Sequence, residues 1–179
     1  MDHKKLKIAY HETGHAVMAL ICGHTIQKVS LKEIESPMGN DKYHAFMKLE
    51  PVDPAIKFTA EKAIQKVMIS LGGYASEILF SGGTANIGGD DLTIAAKTTE
   101  DLLQLEEFKI WVAGLPFPEP GALDMIVNPL VRAYIDFKIG ECVERLIPLK
   151  QVIQLIAEEL YRREELAGDE VAVLFKSFM

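Results

Sequence analysis

His11-Glu12-Thr13-Gly14-His15 constrains this chain more than any other segment, because it lies inside an apolar stretch with helical periodicity. Ile8-Ala9-Tyr10 precedes it and Ala16-Val17-Met18-Ala19-Leu20-Ile21 follows it. On a helix, residues four apart share a face. His11 and His15 therefore present two imidazoles side by side, at the spacing that two ligands of one zinc ion need. Glu12 follows the first histidine by one position, within reach of a water on such a metal without being a ligand itself. Gly14 adds a packing constraint. An interior helical glycine costs about 1 kcal/mol relative to alanine, so the close approach of another element is expected there. Two helical histidines on a solvated face are the competing reading, and the apolar residues on both sides argue against it.

At 179 residues the chain is predicted to be a single domain, 1–179, able to bury a core without disulfides. A net charge of −7 without a basic cluster argues against nucleic acid as a partner. Cys22 and Cys142 sit in apolar, helical surroundings and suit a reducing compartment. No apolar run is long enough to span a bilayer, and the charged start lacks a signal-peptide core. The expectation is a soluble, cytoplasmic chain with no membrane segment.

In chain order, Asp2 is placed to cap a helix running to about Cys22, with Gly23 as its stop. Val29 and Leu31 then alternate with polar neighbours, and Ser36–Asp41 reads as a loop. Tyr43, Ala45, Met47 and Leu49 alternate with His44, Phe46 and Lys48, which predicts a small antiparallel strand pair. His24 and His44 are read as surface or packing residues. Asp53-Pro54 is a cap followed by a first-turn proline, and predicts a helix through Ile64, Val67, Met68 and Leu71 to Phe80. Gly72-Gly73 inside it points to another helix packing at that spot. Ser81–Gly89 is a glycine-rich loop without the spacing of a phosphate-binding loop. Asp90-Asp91 opens a helix from Leu92 to about Leu105. After the break Leu115–Gly121, helices are expected at about 122–146, 148–166 and 169–178.

His11, Glu12 and His15 together form the HExxH signature of zinc metallopeptidases. A catalytic zinc takes three protein ligands and keeps a fourth position for water. Two histidines supply two, and Glu12 is the general base that takes a proton from a water the metal has made acidic. The extension that supplies a third histidine in metzincins is absent, since Met18 and Ile21 occupy its glycine and histidine positions. Glu77 and Asp91 both remain candidates on residue type and placement.

Three segments, in order, resemble the peptidase domain of the FtsH family of AAA+ zinc metalloproteases. Ile8–Val17 resembles that family's A-Y-H-E-A-G-H-A-V, and Leu71–Phe80 resembles its L-G-G-R-A-A-E-E-L-F. Gly89–Ala95 resembles its S-N-D-L-x-x-A, whose aspartate is the third zinc ligand, which implies that role for Asp91. A weaker match to K-E-T-L-x-G-E-E-I covers Arg163–Val171. Thr13 stands in place of alanine, Tyr74 of arginine, Ile78 of the second glutamate and Asp90 of asparagine. The two changes in the second motif imply the loss of a polar contact there.

The expected fold is mainly α with a small antiparallel β-sheet, for which α+β is an alternative label. The expected site holds one Zn2+ per chain on His11, His15 and Asp91, with Glu12 as base and Glu77 as a carboxylate partner behind a ligand. The expected activity is that of a zinc metalloendopeptidase on unfolded protein or peptide substrates, ATP-independent by itself because these residues contain no phosphate-binding loop. A catalytically idle module that keeps the zinc is the alternative, and intact Glu12 speaks for the enzyme. A strand carrying Tyr43, Ala45 and Met47 is expected to pair with an extended substrate. The resemblance implies a homo-oligomer, six-membered, and an ATPase partner in trans.

Overall fold

The Asp2 carboxylate accepts hydrogen bonds from the backbone N–H groups of Lys4 and Lys5, at 2.9 and 3.2 Å, and caps helix α1, His3–Ile21. Gly23 ends it in a left-handed turn at φ 78°, a conformation that a side chain disfavours. The computed structural model describes residues 2–178 apart from 33, 36–41, 44, 52–58, 82–88, 120 and 122.

Strand β1, Ile26–Ser30, pairs antiparallel with β4, Phe46–Leu49, bringing Val29 opposite Met47. Its other side pairs with β5, Glu165–Ala167, so the sheet order is β4-β1-β5 and, among the described residues, β4 is an edge. Two short strands, β2 Ile34–Glu35 and β3 Lys42–Tyr43, form a separate pair. The strand expected over Tyr43–Leu49 is therefore two. Tyr43 closes β3, Ala45 lies between strands, and Met47 belongs to β4. His44 lies outside the described residues.

Helix α2, Ala60–Ser81, starts later than the expected cap at Asp53, which lies outside the described residues along with Pro54. Thr59 accepts the N–H of Lys62 on its hydroxyl instead, at 3.3 Å. Helix α3 runs Gly89–Leu102, and Glu106–Ala113 forms a further helix, α4. Helix α5 spans Pro129–Leu146 behind an Asn128 cap, rather than beginning near residue 122. A single 3-10 turn, 147–149, leads into α6, Lys150–Arg163. There Glu164, at φ 65°, breaks the helix expected to reach 166 and turns the chain into β5, ahead of α7, Gly168–Lys176.

The fold is mainly α with a small antiparallel sheet. Helices α1 and α2 form its centre, where Val17, Met18, Val67 and Leu71 are buried; Ile135 on α5 and Ile153 and Ile156 on α6 are buried with them. The glycines set how closely α1 and α2 approach. A Cβ on Gly14 would collide with the Gly72 carbonyl, and one on Gly72 would lie 2.7 Å from the Gly14 carbonyl oxygen. Ser76 joins the same crossing, donating its hydroxyl to the Tyr10 carbonyl at 2.8 Å, and the rings of Tyr10 and Phe80 stack with centroids 4.3 Å apart. Cys22 and Cys142 are free thiols, and burial pushes Cys142 up to about 12. Among the described residues, no helix is long and apolar enough to cross a membrane.

Candidate metal centre

The α1–α2 crossing places His11 and His15 on a face that α2 covers, and the first turn of α3 brings Asp91 over them. Nε2 of His11 and Nε2 of His15 are 3.0 Å apart, and each lies 3.1 Å from Asp91 Oδ2. Three candidate ligand atoms from two helices thus form a nearly equilateral triangle. Gly73 makes room for it. A Cβ there would lie 2.5 Å from His15 Nε2 and 2.7 Å from His11 Nε2.

What lies behind each ring fixes its tautomer. His11 Nδ1 is 2.7 Å from Glu77 Oε1, and His15 Nδ1 is 2.7 Å from the Ile69 carbonyl. An ionised carboxylate and a carbonyl only accept, so both Nδ1 atoms carry a proton, and in the neutral rings that leaves Nε2 to turn a lone pair inward. The Gly73 N–H also lies 3.3 Å from His15 Nδ1. The shorter contact to Ile69 is the one that sets the ring.

With Nε2 of both rings deprotonated, three acceptors face one another at about hydrogen-bond distance, an arrangement that a shared cation relieves. Donors 2.0–2.1 Å from a tetrahedral zinc lie roughly 3.3 Å apart, within a few tenths of an ångström of the triangle seen here. The donor set, two imidazoles and a carboxylate, fits zinc. In the metal-free chain burial disfavours charge on His11, yet Asp91 and Glu77 outweigh it and raise its pKa to about 10, so a proton on Nε2 stands where a metal would bind. Burial works against the Asp91 carboxylate as well, but the two histidines hold it well below the usual range.

Glu12 is buried on the same helix and projects toward the cleft beside the triangle. Burial raises its pKa; His15, His11 and a hydrogen bond donated by the Met47 backbone N–H partly oppose this. The cleft, about 500 Å³, is walled by Glu12, His15, Asp90 and Asp91, by Ile69 and Ser70 of α2, and by Ala45, Phe46 and Met47. The expected substrate residues Ala45 and Met47 thus line the cleft. His24 is not one of the three clustered residues.

A family model described as Peptidase family M41 matches residues 1–105. The chain belongs to peptidase family M41. Among M41-type relatives, it is 24% identical over 178 residues to an ATP-dependent zinc metalloprotease FtsH of Opitutus terrae, covering 93% of this chain and 28% of that protein. It is 25% identical over 197 residues to ATP-dependent zinc metalloprotease FTSH 6, chloroplastic, of Arabidopsis thaliana, covering 97% and 28%. With an FtsH of Cutibacterium acnes the figures are 23% over 194 residues, 98% and 26%. The chain spans about a quarter of the length of these relatives.

Three groups around this cluster went unread in the sequence: Lys7, the Ile69 carbonyl and the Met47 N–H. Only Lys7 left a signal, four residues before His11 on the same helical stripe. The departures from the FtsH motifs also take shape here. Ile78 is half-buried and packs against the core, Asp90 is exposed at the cleft, and Thr13 is fully buried with its hydroxyl unpaired.

Proposed function

We propose that this chain is a zinc-dependent endopeptidase that hydrolyses peptide bonds of unfolded or extended polypeptides. The observation that carries this reading is the triangle of His11 Nε2, His15 Nε2 and Asp91 Oδ2 opening on a cleft that Glu12 also faces. Zinc held by those atoms supplies Lewis acidity to water and to the scissile carbonyl. Glu77 and the Ile69 carbonyl keep the two rings oriented by holding their Nδ1 protons. Glu12 accepts the proton of the attacking water and returns it to the leaving amine. Its burial-raised pKa suits both halves of that transfer.

Strand β4 orients the substrate. A residue's N–H and C=O point to the same side of a strand. Because the Met47 N–H turns to Glu12, the Met47 carbonyl also faces away from β1, where an extended peptide can add to the edge. Such addition admits only chains without competing structure, which makes unfolded protein the substrate class.

These 179 residues contain no phosphate-binding loop, so by themselves they do not couple cleavage to ATP. The relatives' names call them ATP-dependent, so an ATPase in trans is a partner to test, beside the six-membered homo-oligomer that the FtsH resemblance implies. The experiment is digestion of one protein in folded and denatured forms, with and without ATP, beside a sizing measurement. The zinc-loaded chain is expected to cut only the denatured form and to ignore ATP. Equal cutting of both forms, or ATP stimulation of the purified chain, would overturn this reading.

A further inference from the structure

Helix α1 carries Lys7, His11 and His15 at successive four-residue steps, so all three lie on one stripe facing α2. The same carboxylate on α2 meets the first two. Glu77 accepts the His11 Nδ1 proton on Oε1 at 2.7 Å and pairs through Oε2 with Lys7 Nζ at 3.1 Å. Glu77 is only 5% exposed, so an ionised carboxylate there needs partners on both oxygens. Two donors at fixed points, one on each oxygen, hold its plane more firmly than the His11 contact by itself.

We propose that Lys7 is a positioning residue of the metal centre: by holding Glu77 Oε2 it aims Oε1 at His11 and so sets the His11 ring for the metal. Lys7 is not one of the three triangle residues or of the residues that wall the cleft, and it reaches His11 through Glu77. The chain's FtsH-like second motif has tyrosine and isoleucine, Tyr74 and Ile78, on either side of the Ser76-Glu77 pair, where the family pattern has arginine and glutamate. A single ion-pair contact can be made by a guanidinium in place of the ammonium, but not by the uncharged methionine side chain, which ends one atom short and has no donor.

This inference rests on the zinc reading above. The test is zinc affinity of the whole chain by chelator competition, for wild type, Lys7→Met, Lys7→Arg, Glu77→Gln and the Lys7→Met/Glu77→Gln double variant. Circular dichroism confirms that each is folded. Partners behind a metal ligand typically change affinity 10–100-fold, and Lys7→Met is expected near the lower end, about tenfold. Lys7→Arg should restore affinity to within about threefold of wild type by the same scale. In the Glu77→Gln background, Lys7→Met should have no further effect, an independence that a merely structural lysine would not show. Unchanged affinity in Lys7→Met, or an equal loss in both backgrounds, would overturn the role of Lys7 alone. A wild-type chain that binds no zinc would overturn the zinc reading itself.

Discussion

Replacing Gly73 with alanine separates the metal centre from the fold that carries it. The added Cβ would lie 2.5 Å from His15 Nε2 and 2.7 Å from both Cε1 and Nε2 of His11. Favourable heavy-atom contacts begin near 3.5 Å, so the rings must retreat by roughly 1 Å. Zinc ligand distances hold to about ±0.2 Å, so that displacement breaks the triangle. Changes one layer behind a ligand already cost 10–100-fold in affinity, and moving the donors themselves should cost at least about 100-fold, roughly 2.7 kcal/mol. The metal-free fold should barely notice. The obstructing atoms are ring atoms that can rotate, at ~0.5–1.5 kcal/mol each if pushed off-rotamer. A helical glycine-to-alanine change returns about 1 kcal/mol. Gly14→Ala is the control, because its Cβ meets the Gly72 backbone and forces the helices apart. Overpacking of that kind costs about 1–3 kcal/mol. Chelator competition reads zinc affinity, and urea denaturation in EDTA reads the fold. Wild-type zinc affinity in Gly73→Ala, or equal destabilisation by the two substitutions, would refute this reasoning.

Glu12→Gln should keep zinc at one equivalent while lowering kcat by about 10²–10⁴-fold, since the amide cannot take the proton; loss of the metal would instead make Glu12 a ligand or a structural residue. Thr13→Val should stabilise the chain by about 1–3 kcal/mol in urea denaturation, because it replaces a fully buried, unpaired hydroxyl by a methyl group. The metal-free chain should also lose stability with rising pH. His11 holds its proton more tightly folded than unfolded, so that contribution is fully present below about pH 6.5 and is lost as pH rises through about 10. Thermal unfolding in EDTA across that range, compared with a His11→Asn variant, checks the slope; wild type and variant running parallel would contradict it.

The site was far more legible than its surroundings, because most of its contributors are local patterns. The i, i+4 histidines, Glu12 between them and the paired glycines of α2 each state a constraint within one helix. Asp91 needed the resemblance, since residue type and placement alone left Glu77 equally eligible; the structure gives each a different histidine nitrogen. What the sequence did not show depends on distant partners. Strand β5 consists of Glu165, Leu166 and Ala167, residues that suit a helix, and it is a strand because β1 offers it an unpaired edge where Leu166 can be buried. Alternation from Tyr43 to Leu49 carries no mark of the break before Phe46. Helix α4 was missed because Leu105 gives it no side-chain cap. For α5 the signal was present in Asn128-Pro129, but the apolar residues just before it extended the helical period too far upstream.

The central claim is that one zinc on His11, His15 and Asp91 makes this chain a peptidase, and it meets its most direct test in a titration. Metal-free chain is supplied with zinc in sub-stoichiometric steps while cleavage of a denatured protein is followed. The account predicts a rate that climbs linearly to one equivalent and then stops rising, and no such climb in Asp91→Asn. Zinc taken up to one equivalent with no cleavage at any step would contradict it.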